Sequence, residues 1–137
     1  MAGNTLTDYE LRVSMARLTL TGVNIGAPDP HALAAFYAGL LGWEIGREED
    51  DDVWLRPPDG GRGLAFQRET AYERPTWPAG PGDQQMMMHL EVMVDNLDSA
   101  VAHAVSLGAT VADFQPQEDV RVCLDPAGHP FCLWLNA

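Results

Sequence analysis

Two stretches of this chain hold residues that could do chemistry. "HLEVMV", residues 89–94, places His89 two positions before Glu91. "VRVCLDPAGHPFCLWL", residues 120–135, carries Cys123, His129 and Cys132. An imidazole beside a carboxylate can act as an acid–base pair. A thiolate near an imidazole can act as a nucleophile, and any three of these side chains brought together can ligate a metal.

The local pattern weighs against chemistry in the second stretch. "DPAGHP" reads as a turn in which Asp125 and Pro126 begin it, Gly128 supplies permissive dihedrals and Pro130 launches the next strand. His129 is then expected to face solvent. Cys123 and Cys132 are expected to behave as small buried hydrophobes, since no basic group is placed beside either to ionise it.

The elements that must position these residues come in two similar sets. "LTLTGVNIG" reads as a strand, and "DPHALAAFYAGLLG" as a helix capped by Asp29, opened by Pro30 and ended by Gly42. Leu33, Phe36, Tyr37, Leu40 and Leu41 recur at helical spacing and form one apolar stripe. "WEIGRE", "DVWLRP" and "GLAFQR" follow as strands, with "PPDGG" as a turn between the last two. The second set repeats the plan. "MMHLEVMV" reads as a strand, and a helix follows with Asp95 as cap, Asp98 in its first turn, Leu97, Val101, Ala104 and Val105 as its stripe and Gly108 at its end. "ATVADF", "DVRVCL" and "FCLWL" complete it as strands. The Asp-to-Gly spacing is the same in both sets, which makes the chain an internal repeat of two β-α-β-β-β modules.

This gives an α+β fold with module one at 16–68, a Pro/Gly-rich linker at 69–85 and module two at 86–136, all within a single domain at 15–137. Residues 1–14 match neither period and are expected to form a flexible extension.

The double module resembles the vicinal oxygen chelate (VOC) superfamily, which includes glyoxalase I, extradiol dioxygenases and bleomycin-resistance proteins. The residues that carry the resemblance are "APDPHALAAFYAGLLGWEI", "PTWPAGPGDQQMMMHLEVMVDNLDSAVAHAVSLGAT" and "LDPAGHPFCLWL". The first and last are similar to glyoxalase-like domains common in actinobacteria. The resemblance implies one curled mixed sheet around a cup, with the helices outside, and a homodimer. Metal-using members carry ligands in the first and last strands of each module. Those positions fall here on Gly22 or Val23, on Ala65, on His89 and on Cys132. His89 is the one usual ligand that matches, and Gln67 and Glu91 are the polar neighbours that could join it. No metal and no other cofactor is expected, because a stable site needs three or four anchored donors.

Strand alternation assigns the lining of that cup. Leu90, Val92 and Val94 face the helices, so His89, Glu91 and Met93 face inward. Phe131, Leu133 and Leu135 face the core, which leaves Cys132 and Trp134 inward. Ala65 and Gln67 point the same way, and Trp54 and Arg56 join them. The expected ligand-binding set is Trp54, Arg56, Gln67, His89, Glu91, Met93, Cys132 and Trp134, with Trp77 and Met86–Met88 at its edge. Core packing accounts equally well for each tryptophan, and gap filling for the methionines. His89 and Glu91 differ, since an inward ion-forming pair costs desolvation unless something uses it.

Composition bounds the function. The chain has 137 residues, 46% of them apolar, enough for a packed core. No apolar run approaches a membrane span, no secretory pattern opens the chain, and two cysteines build no disulfide framework, so a cytoplasmic protein is expected. A net charge of −12 argues against a nucleic-acid partner and suits a cationic ligand. The first reading is therefore a metal-free protein that sequesters a small aromatic, cationic molecule. The second is an enzyme with His89 and Glu91 as its catalytic residues: a metal-dependent lyase or dioxygenase, or a metal-free isomerase. The third is a subunit or regulator without a small ligand.

Overall fold

The computed structural model describes residue 3, residues 5–10 and residues 17–136. The elements are β1 (Gly22–Ala27), α1 (Pro30–Leu41), β2 (Glu44–Glu48), β3 (Asp52–Arg56), β4 (Gly63–Arg68), β5 (Leu90–Val94), α2 (Leu97–Ser106), β6 (Thr110–Val111), β7 (Val120–Leu124) and β8 (Pro130–Leu135). The first sheet has the order β1-β4-β3-β2 and the second β5-β8-β7-β6. The repeat is thus exact in topology: in each module the first strand runs parallel to the last, and the others pair antiparallel.

Local chemistry sets the helix ends. Asp29 has extended backbone and accepts from the amides of His31 and Ala32, Pro30 sits at the first helical position, and Gly42 closes α1 at φ 69°. In α2 the cap is Asn96, not Asp95; its side chain accepts from the amide of Ser99 at 3.0 Å. The equal Asp-to-Gly spacing is therefore not a cap-to-cap identity, although Asp98 does occupy the first turn. Val105 is largely exposed. It lies about 80° around the helix from Leu97, at 100° per residue, so it falls at the edge of the stripe while Ala104 is buried at its centre.

The first strand begins at Gly22, and Leu18 and Leu20 before it are exposed rather than paired. Half of the proposed N-terminal extension lies outside the described residues. Within it, residues 8–10 make a helical turn closed by reciprocal bonds between Thr7 and Glu10.

One core serves both modules. Leu33, Phe36 and Tyr37 of α1 are buried with Val53, Leu55, Leu64 and Phe66 of the first sheet and with Phe131 and Leu133 of the second. Tyr37 stacks on Phe66 with centroids 5.5 Å apart and meets Phe131 edge-on at 6.0 Å. The helices also touch, with His103 Nε2 donating to the carbonyl of Gly39 at 3.1 Å.

The α+β fold and its two modules are as the sequence indicates. The sheets, however, are two separate four-stranded sheets and do not close into one within the chain. Their edge strands β1 and β5 flank a crevice instead of pairing. Among the described residues no helix is long and apolar enough to cross a membrane.

Candidate functional site

Each sheet turns one face to the core and, among the described residues, leaves the other without a helix. On the second sheet, β5 and β8 run parallel with Glu91 beside Cys132 and Met93 beside Trp134. Leu90, Val92 and Val94 pack on the core, so these four side chains share the open face. Val120 and Val122, opposite Trp134 and Cys132, extend that face as an apolar floor.

The polar centre of this face is compact. His89 Nε2 and Glu91 Oε1 are 2.6 Å apart, a charge-assisted distance. A donor atom of Cys132 joins them, so that the three donor atoms lie within 4.8 Å of one another. The Cys132 thiol is pushed up to about 11, first by burial and then by the charge and hydrogen bond of Glu91. Burial alone raises Cys123 to about 11. Both thiols therefore carry their protons at neutral pH, as expected of residues that are not nucleophiles.

Of the metal positions implied by the resemblance, the second-module pair His89 and Cys132 is joined by Glu91, while the first-module positions hold no donor. Ala65 is completely buried and has no donor atom. A side chain at Gly22 would meet the Gly63 carbonyl at 2.6 Å, so that position cannot accommodate a ligand either. The first module thus contributes nothing, and the donors that exist belong to His89, Glu91 and Cys132 on one side only.

The remaining expected residues are placed on the other sheet. Trp54 and Ala65 are opposite each other there, and the Trp54 ring N–H donates to Asp52 at 2.7 Å. Gln67 donates to Glu69 at 2.6 Å rather than reaching Glu91. Arg56 makes a long contact of 3.5 Å with the Gly46 carbonyl. Trp77 packs on Phe114 at 5.9 Å. Met86, Met87 and Met88 are exposed and fill no core gap; with Arg74 and His129 they line a groove of about 560 Å³.

One further cluster has no counterpart in the sequence reading. Asp125 is 1% exposed. It accepts from the Tyr37 hydroxyl at 2.8 Å, from the amides of Ala127 and His129 at 2.9 and 3.0 Å, and from His129 Nδ1 at 2.8 Å. Burial and the Asp125 charge hold the Tyr37 hydroxyl far above its ordinary value, and the same causes raise Tyr72 to about 12. His129 is mostly buried, not solvent-facing, because its ring is drawn in to this carboxylate. The turn itself held the signal: an aspartate heading a turn accepts from amides just beyond it, which aims the carboxylate at the residue that closes the turn.

Comparison with known proteins follows this geometry. The family model described as "Glyoxalase-like domain" matches residues 22–134. A search of curated proteins finds no match. Among solved structures, a glyoxalase/bleomycin resistance protein/dioxygenase family enzyme from Burkholderia phytofirmans PsJN aligns with a TM-score of 0.64 at 23% identity, covering 85% of this chain and 97% of that one. A glyoxalase family protein from Enterococcus faecalis aligns at 0.62 and 23% identity, covering 85% and 96%. A fosfomycin resistance protein from Mesorhizobium loti aligns at 0.61 and 15% identity, covering 89% and 95%. At these identities the likeness concerns the fold.

Proposed function

The chain belongs to the glyoxalase-like domain family, and we propose that within it this protein binds a small aromatic, cationic molecule without a metal, as a sequestration or resistance protein does. The observation that carries this reading is the open face of β5 and β8. Glu91, about half exposed, stands between His89 and the Cys132 thiol, on the same face as Met93 and Trp134. Such a face offers a flat aromatic ring for stacking and a carboxylate for the charge. A desolvated cation over tryptophan contributes up to ~2 kcal/mol, and the carboxylate a similar amount through a charge-assisted bond. The net charge of −12 draws cations towards it.

In this reading the protein is a cytoplasmic homodimer with no nucleic-acid partner. The open face of the first sheet, with Trp54, Arg56 and Gln67, then serves the site of a second copy. This supplies from a partner the lining that one chain holds on separate sheets, and it covers two faces that otherwise meet water.

The test is a fluorescence screen of cationic and anionic aromatics against wild type and Glu91→Gln. Cationic hits should quench tryptophan emission and bind Glu91→Gln more weakly. A preference for anions, or an unchanged best cationic hit, overturns the reading and makes Arg56 the anchor to examine.

The 2.6 Å contact of His89 with Glu91 favours a second reading, a metal-free isomerase in which the pair moves a proton. The metal-dependent lyase and dioxygenase readings lack first-module donors. Solvent-deuterium incorporation into a bound ligand, lost in His89→Gln, separates isomerase from binding protein.

A further inference from the structure

Between the edge strands β1 and β5 lies a crevice of about 350 Å³. Val23, Ile25, Leu90 and Pro130 give it apolar walls, and Asn24, His89 and His129 give it polar groups. That is the make-up and the size of a small-ligand site.

The hydrogen bonding of His129 decides what such a ligand must bring. The Asp125 carboxylate already accepts from Tyr37 and from two backbone amides, so towards His129 it can only accept as well. In its neutral form the His129 ring therefore carries its hydrogen on Nδ1, which leaves Nε2 as an acceptor. The nearest hydroxyl is that of Tyr72, 3.3 Å away. Its single hydrogen is committed to the Ala127 carbonyl at 2.6 Å, a group that cannot donate in return. Among the described residues nothing else donates to His129 Nε2. An acceptor on a mostly buried ring, fixed in tautomer and orientation, stands unused at an apolar crevice.

We propose that this crevice is a second binding site, taking a small, flat, neutral molecule that presents one N–H or O–H to His129 Nε2. The proposal goes beyond the cationic-ligand reading and does not rest on it, since the acceptor is His129 and not Glu91. The occupant is neutral because the groups in reach are two imidazoles, an amide, a hydroxyl committed to Asp125 and apolar walls, with the Asp125 charge already spent on its own partners. Asp125 is a positioning residue: it sets the tautomer of His129 and touches no ligand.

The experiment is an NMR titration of the full chain with indole and with benzofuran, which has nearly the same shape and lacks the donor. It follows the His129 ring resonances. Indole should shift the His129 Nε2 signal and bind roughly tenfold more tightly than benzofuran, the ratio expected for pairing a desolvated acceptor. His129→Phe keeps the ring volume and should abolish the preference. Should that variant fail to fold, the wild-type pair of titrations still decides. Equal binding of the two probes, or no shift of the His129 signal at millimolar indole, overturns the proposal. Glu91→Gln, which decides the cationic-ligand reading, should leave the indole preference intact, so each idea can fail without the other.

Discussion

The Tyr37 hydroxyl donates to Asp125 Oδ2 at 2.8 Å, joining residues 88 positions apart. Tyr37 belongs to α1 of the first module, and Asp125 heads the β7–β8 turn of the second. The bond lies inside the shared core, flanked by Phe66 and Phe131. A fully buried carboxylate is tolerable only when its oxygens are satisfied. Asp125 therefore fixes three things at once: the turn, the tautomer of His129 and the docking of α1 on the second sheet.

Tyr37→Phe should lower stability by about 1–3 kcal/mol, because it removes one partner and leaves Asp125 buried with the rest. Asp125→Ala should cost more, since it orphans the Tyr37 hydroxyl and His129 together. The double variant should lose less than the sum, as expected of residues in one network. Urea unfolding of the four proteins measures this; strict additivity would show that the bond does not couple the modules.

His31 gives a pH signature. Its Nδ1 lies 2.8 Å from Glu48 and its Nε2 2.9 Å from the Asp50 carbonyl, and the hydrogen bond to Glu48, followed by that to Asp50, raises its value above the usual 6.5. A folded-state value above the unfolded one favours the protonated native state. The contribution is fully present below the unfolded value and fades as pH rises through the raised one. The melting temperature of wild type should therefore fall relative to that of His31→Gln as pH rises above the ordinary histidine value. Parallel pH profiles would rule the pair out, and the exposure of both side chains makes the expected effect small.

What the sequence made legible follows its periodicities. The α1 stripe at Leu33, Phe36 and Tyr37 and the alternation in "HLEVMV" are properties of single elements, and both faces are as read. The Asp95 reading missed by one residue because either Asp95 or Asn96 can cap, and the extended backbone of Asn96 decides between them. The joint cup and the burial of His129 were not legible for a different reason. Each depends on how separate elements dock: Trp54 and Trp134 sit on different sheets, and the surroundings of His129 come from α1 and from the segment that carries Tyr72. No local pattern encodes such contacts.

Protein purified from its own host should contain well under one equivalent of zinc, iron, manganese or nickel by elemental analysis. The first-module positions offer no donor, and of the three second-module donors the Cys132 thiol would need to lose its proton before holding a metal. One equivalent per chain, lost in Cys132→Ser and kept in Cys123→Ser, would instead place a thiophilic ion on the β5–β8 face.

The proposed homodimer carries a prediction that tests the site together with the assembly. Among the described residues both sheets leave a face without a helix, and these faces bear Trp54 on one sheet and Met93, more than half exposed, with Trp134 on the other. Large apolar side chains on an uncovered face favour association. Light scattering at micromolar concentration should give twice the 14.9 kDa chain mass. If the face of one copy completes the site of the other, Trp54→Ala should weaken a cationic ligand bound at Glu91, although the two residues occupy different sheets of their own chain. Mixing Trp54→Ala with Glu91→Gln subunits should then restore one intact site per mixed dimer, giving about half of the wild-type binding capacity in that species. A monomer mass, or a mixed species with no tight site, would confine the ligand to the β5–β8 face of a single chain.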